Sequence, residues 1–109
     1  MTKIVIYKSK SHIVGFEISG HTGYAEEGSD IVCSAVSSMS QMVVVGIKDV
    51  LKLNAFVEIS DGYLKLKLSQ KDVENECAGV LLKAFEKSLK EIVKEYGNYV
   101  KMEVKKDVF

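Results

Sequence analysis

The sequence predicts a two-layer α+β domain of order ββαββαβ, a single antiparallel or mixed sheet covered by two helices. Three observations carry that prediction. Five short runs, at 3–8, 12–19, 55–60, 63–68 and 99–105, are rich in Val, Ile, Leu, Tyr and Phe and have strand length. Two longer stretches, about 31–52 and 72–96, have helical length and carry apolar faces. Asp61-Gly62 between two of the strand runs is the strongest short hairpin signal in the chain.

Taken in order, KIVIYK (3–8) is apolar on both faces, with Ile4 and Ile6 opposing Val5 and Tyr7, as an interior strand should be. Ser9-Lys10-Ser11 provides a turn into HIVGFEIS (12–19), which places Val14, Phe16 and Ile18 on one face. His12, at the start of that strand, is expected to be a solvated strand-end side chain. The first helix is uncharged from Ile31 to Ile47, so most of its circumference needs a cover: the sheet, the other helix or a second subunit. Its serines and Gln41 mark it as a core helix rather than a membrane span of ~20 apolar residues. In the second hairpin Leu64, Leu66 and Leu68 are expected inward. Asp72 or Ser69 is expected to cap the second helix, whose stripe runs through Val73, Cys77, Val80, Leu81, Ala84, Phe85, Leu89, Ile92 and Val93. Glu86–Lys90 and Lys87–Glu91 stand at one-turn spacing on its other face. Gly97-Asn98 should end that helix, and the last strand should turn Val100, Met102 and Val104 inward.

Composition narrows the function. With 109 residues, 47% hydrophobic and 28% charged, the chain fits one globular domain, 1–109, able to bury a core without disulfides or metal. The formal net charge is zero, so no basic footprint for nucleic acid is present. Two cysteines, Cys33 and Cys77, are too few for a disulfide framework and lack metal-ligand spacing. They are expected to be free thiols in a reducing cytoplasm, with no leader preceding the first strand, and no metal or cofactor is expected.

The chemistry concentrates in Gly20–Ser38. Gly20 and Gly23 flank His21, allowing a sharp turn that presents the imidazole, and a glycine-containing loop with Tyr24, Glu26 and Glu27 follows. Asp30 is placed to cap a helix in which Cys33 takes the third position. A thiol there feels the positive end of the helix dipole, and free N–H groups of the first turn can steady an oxyanion. Ser37 follows Cys33 by one helical turn on the same face. The residues alone leave the Cys33/His21 pair structural, redox or nucleophilic; Cys77, in the middle of another helix, is taken as a core residue rather than a resolving partner.

GHTGYAEEGSDIVCSAVS (20–37) closely resembles the signature of the ribosomal-processing cysteine protease family, Prp: a Gly-His pair, a loop with an aromatic, then G-x-D-[IV]-V-C-x-x-V-S. Chain length and element order agree with that resemblance. Thr22 and Ser34 depart from it, standing where the family has alanine or another small residue. The resemblance implies a small dimeric cytoplasmic endopeptidase of Gram-positive and related bacteria. It would remove the N-terminal extension of a large-subunit ribosomal protein, the twenty-seventh of the L series, cutting after a phenylalanine. Cys33 would be the nucleophile and His21 its base, with Asp30 and Ser37 in support. Gly20, Tyr24, Glu26 and Glu27 would serve peptide binding, and the loop 22–30 would close over the peptide. The acidic loop suits a basic ribosomal substrate. The alternative from another class is a non-catalytic ribosome- or RNA-associated assembly module, disfavoured by the neutral charge and the absence of a basic, aromatic-studded strand face.

Overall fold

The computed structural model describes residues 1–20 and 29–109, and of Ser29 and Asp30 the backbone. The elements are β1 (Thr2–Ser9), β2 (His12–Ser19), α1 (Ser29–Val45), β3 (Ala55–Ser60), β4 (Tyr63–Leu68), α2 (Glu76–Tyr96) and β5 (Val100–Lys105). A π-helical turn at Gly46–Val50 extends α1, and a 3₁₀ turn at Gln70–Asp72 precedes α2. The predicted ββαββαβ order and α+β class hold. The sheet is mixed, in the order β3-β4-β2-β1-β5, with β5 parallel to β1 and every other pair antiparallel. The parallel pair follows from connectivity: α2 carries the chain back across the sheet before β5 enters beside β1.

Both helices cover one face. Ile4, Ile6, Phe16, Ile18, Leu64, Leu66 and Leu68 meet Val32, Val36, Val43 and Ile47 of α1 and Ala78, Leu82, Phe85 and Leu89 of α2. Phe16 and Phe85 stack at 4.7 Å with a 60° tilt across that layer. Ile31–Val50 is, by length and composition alone, sufficient to cross a membrane. Here its inner side chains cover the sheet, as expected of a core helix. At its end Gly46 lets α2 approach: a Cβ there would lie 2.6 Å from Leu81 Cδ2.

The other face carries Val5, Tyr7 and Val14, with Val73 and Val108 against them. Val14 is a correction, since strict alternation puts it beside Phe16. The β1–β2 pairing steps from Tyr7↔Gly15 to Lys8↔Ile13, skipping Val14, so a bulge turns Val14 to the far face and Ile13 to the helices. Gly15 is what permits the close pairing there: a Cβ would stand 2.2 Å from the Leu66 carbonyl oxygen and 2.9 Å from Lys67 Cα. Tyr7 donates a hydrogen bond to Glu17 on this face. Burial first, then that carboxylate, pushes the Tyr7 phenol above its ordinary range.

Helix α2 differs from its prediction at both ends. Asn75 is the cap, its Oδ1 accepting from Ala78 N at 3.0 Å, while Asp72 accepts instead from Asn54 N and the Ser69 hydroxyl. The later start puts Cys77 in the first turn, out of phase with the buried series Ala78, Leu82, Phe85 and Leu89. Cys77 and Val80 are therefore exposed rather than core. Glu86 does not pair with Lys90; it is buried, with Oε2 2.9 Å from Lys8 Nζ. Gly97 ends the helix with a helical φ of −59° rather than a left-handed one. Val100 is buried as expected, but Val104 is exposed because β5 is an edge strand.

Candidate active site

Helix α1 begins at Ser29, not after Asp30. Asp30 thus stands inside the first turn rather than at the cap, and Cys33 is the fifth helical residue rather than the third. By the i→i−4 pattern its own N–H faces the Ser29 carbonyl, so the free N–H groups belong to the residues before it. Val32 and Val36 anchor the buried face, and their phase leaves Cys33 half-buried at its border.

At that border Cys33 meets the first residue of β1. The Cys33 sulfur lies 2.9 Å from the Thr2 hydroxyl oxygen, and Thr2 is fully buried. Thr2 itself is fixed by its backbone: its N–H donates to the Tyr99 carbonyl at 3.0 Å, and it pairs with Val100. Sequence reading passed over Thr2 as part of the lead into the strand. The signal was nevertheless present, because the alternation that turns Ile4 and Ile6 inward turns Thr2 inward with them.

Gly20 ends β2 at the same end of the sheet. Its φ of +93° and its N–H bond to the Gly62 carbonyl at 3.2 Å turn the chain beneath the β3–β4 hairpin. A Cβ at Gly20 would stand 2.4 Å from the Met1 carbonyl oxygen, so this position accepts glycine alone. Gly20 therefore abuts Met1, the neighbour of Thr2. His21, Tyr24, Glu26 and Glu27, with the loop proposed to close over peptide, lie outside the described residues. Ser37 sits half-buried one turn beyond Cys33, its hydroxyl accepting from Gln41 Nε2 at 3.2 Å. The structure thus brings Cys33 against Thr2 and Gly20 against Met1 at one end of the central strands β1 and β2.

His12 lies at the opposite end of β1 from Thr2, partly exposed and 3.8 Å from the Glu74 carboxylate. It lines a cavity of about 580 Å³ with Lys8, Ile13, Val80 and Glu86. This end is roughly 20 Å along the strand from Cys33, at ~3.3 Å per residue. Among the described residues no cluster of three His, Cys, Asp or Glu side chains is placed to hold a metal.

Among solved structures, a Streptococcus mutans protein, SMU.848, is similar to this chain at a TM-score of 0.87 and 24% identity, covering 97% of this chain and 95% of that one. The essential ribosomal processing protease Prp of Staphylococcus aureus in complex with a substrate peptide is similar at 0.85 and 22%, covering 96% of this chain and 100% of that one. The same S. aureus protease with a covalently linked product peptide gives 0.81 and 23%, with coverage of 96% and 100%. At these identities the likeness establishes the fold. No curated protein matches the chain. The family model for cysteine protease Prp matches residues 1–101. With that match across nearly its whole length, the chain belongs to the cysteine protease Prp family and is a cysteine protease.

Proposed function

We propose that the protein is a processing endopeptidase that removes the N-terminal extension of a large-subunit ribosomal protein, the twenty-seventh of the L series, by cutting after a phenylalanine. The observation that carries this reading is the meeting of Cys33, early in α1, with the end of β1 against which Gly20 is packed, one residue before His21 in the chain. In the chain His21 follows Gly20 directly, and Gly20 abuts Met1, the neighbour of Thr2. The S. aureus protease, described as ribosomal-processing and seen with substrate and with covalently linked product peptides, supports both the substrate class and a covalent route.

In this mechanism His21 takes the proton of the Cys33 thiol, and the thiolate forms a bond to the carbonyl carbon of the substrate phenylalanine. Free N–H groups at the start of α1 face the developing oxyanion. The C–N bond then breaks, His21 returns its proton to the leaving amine, and an S-acyl enzyme remains. Water, deprotonated by His21, attacks the thioester; the extension leaves as a carboxylate and the proton returns to sulfur. Asp30 and Ser37 support the nucleophile's helix from its first turn and from the turn after it. Gly20, Tyr24, Glu26 and Glu27 bind the peptide, the two glutamates steering a basic substrate. The substrate is made in the cytoplasm, where the two free thiols also belong.

The test is incubation with the precursor ribosomal protein, followed by mass spectrometry. A single cut after the extension's phenylalanine is expected, slower in Glu26→Lys/Glu27→Lys and with a weaker salt dependence. An intact precursor after prolonged incubation with folded protein would overturn the reading.

The proposal includes a homodimer. Ile31, Ala35, Ser38, Met42 and Val45 recur along α1 at four- and three-residue steps, all on its exposed side, with Ile31 68% and Met42 53% accessible. A stripe of that spacing suits a second helix of its own kind. Light scattering should give twice the monomer mass for the native protein and the monomer mass for Met42→Glu. A native monomer, or a Met42→Glu dimer, would remove this interface.

A further inference from the structure

We propose that Thr2 is a positioning residue for the nucleophile: its buried hydroxyl donates a hydrogen bond to the Cys33 sulfur and favours the thiolate. The inference rests on the reading of Cys33 as the attacking group and extends it to a residue outside the signature stretch. Thr2 has no solvent exposure, so its hydroxyl must find its partner within the protein. That partner is the sulfur, at 2.9 Å.

The direction of the bond follows from the chemistry of the pair. A thiol and a hydroxyl can each donate, but a thiolate only accepts. Ionisation of Cys33 therefore fixes the hydroxyl as donor and converts a weak neutral contact into a charge-assisted one. A bond that strengthens on ionisation holds the sulfur in its attacking form. It also aims the sulfur. Threonine is stiff about χ1, and β1 holds its backbone through the Tyr99 carbonyl and the Val100 pairing, so the hydroxyl is a fixed post rather than a swinging one. Once Cys33 is acylated its sulfur accepts poorly. The hydroxyl then regains a strong partner only when the thiolate leaves, which favours thioester breakdown.

Other charged groups border the pair. The Met1 amino terminus is one residue from Thr2, and Tyr99 belongs to the turn that receives the Thr2 N–H. Lys3 points to the opposite face, 3.6 Å from Glu103. Asp30 lies three residues before Cys33 on α1, and His21 follows Gly20 outside the described residues. None of these is altered by exchanging the Thr2 hydroxyl for a methyl group.

The experiment compares the native side chain with Thr2→Val, Thr2→Ala and Thr2→Ser in a Cys77→Ser background, so that Cys33 is the thiol read. Iodoacetamide alkylation rates are followed from pH 5 to 10. For Thr2→Val alkylation near neutrality should be roughly tenfold slower, the loss one charge-assisted hydrogen bond would bring. Thr2→Ala should behave alike, and Thr2→Ser should stay within about twofold of the native rate. On the precursor substrate, Thr2→Val should lower kcat with KM little changed. Coincident alkylation profiles for the native protein and both hydroxyl-free variants would overturn the proposal. Alkylation needs no substrate, so shifted profiles in a protein that cleaves no ribosomal precursor would retain the Thr2–Cys33 coupling and reject the protease substrate reading instead.

Discussion

Cys33→Ala should abolish precursor cleavage, by at least about a thousandfold, while the protein stays folded. The size of the loss follows from the chemistry: with no sulfur there is no acyl-enzyme, and direct attack by water forfeits covalent catalysis. The stability cost should be modest. Cys33 is only half-buried, and the principal loss is the partner of the Thr2 hydroxyl. An unsatisfied buried hydroxyl costs about 1–3 kcal/mol, against a total stability of ~5–15 kcal/mol for a domain of this kind. Cys33→Ser separates the two effects. It restores an oxygen partner for Thr2 and should recover much of the lost Tm, yet it should remain inactive because a serine hydroxyl ionises far less readily than a thiol. Activity assayed beside thermal melts gives both numbers; a Cys33→Ala protein that still cleaves would remove Cys33 from the chemistry.

Gly15→Ala should be the most damaging of the small substitutions in the sheet. The added Cβ would meet the backbone of β4, at 2.2 Å from the Leu66 oxygen and 2.9 Å from Lys67 Cα, and backbone cannot rotate aside as a side chain does. The clash also falls at the bulge that sets the β1–β2 register. Destabilisation of about 3 kcal/mol is expected, which corresponds to a fall in Tm of roughly 12–20 °C for a domain of this size. Gly46→Ala is the natural comparison. There the obstructing atom is Leu81 Cδ2, the tip of a flexible side chain, so the cost should be much smaller. Equal melting temperatures for the native protein and Gly15→Ala would show that the two strands part more easily than their packing indicates.

Much of this fold was legible in the chain. Both hairpins followed from local signals, Ser9-Lys10-Ser11 and Asp61-Gly62, and the alternation of Leu64, Leu66 and Leu68 fixed the inner face of β4. The misreadings share a cause, which is that pattern alone does not set phase. At Val14 one unpaired residue reversed the alternation. At Cys77 the choice of Asn75 over Asp72 as cap moved the start of α2, leaving a cysteine in the first turn where a buried stripe had been expected. Sheet order was likewise not local, since the β1–β5 pairing depends on where α2 returns the chain. In the site, Gly20–Ser38 announced its chemistry through residue types, but Thr2 did not. Its role arises only when β1 and α1 meet, and the 31-residue separation of Thr2 and Cys33 is not a distance that sequence spacing interprets.

The most direct test of the central claim is to quench the reaction of native protein with precursor within its first turnovers and weigh the intact enzyme. An adduct with the mass of the cleaved extension, mapped by peptide analysis to Cys33 and absent from the exposed Cys77, is expected. Steady cleavage with no adduct, or with the adduct on Cys77, would contradict the assignment of Cys33 as the nucleophile.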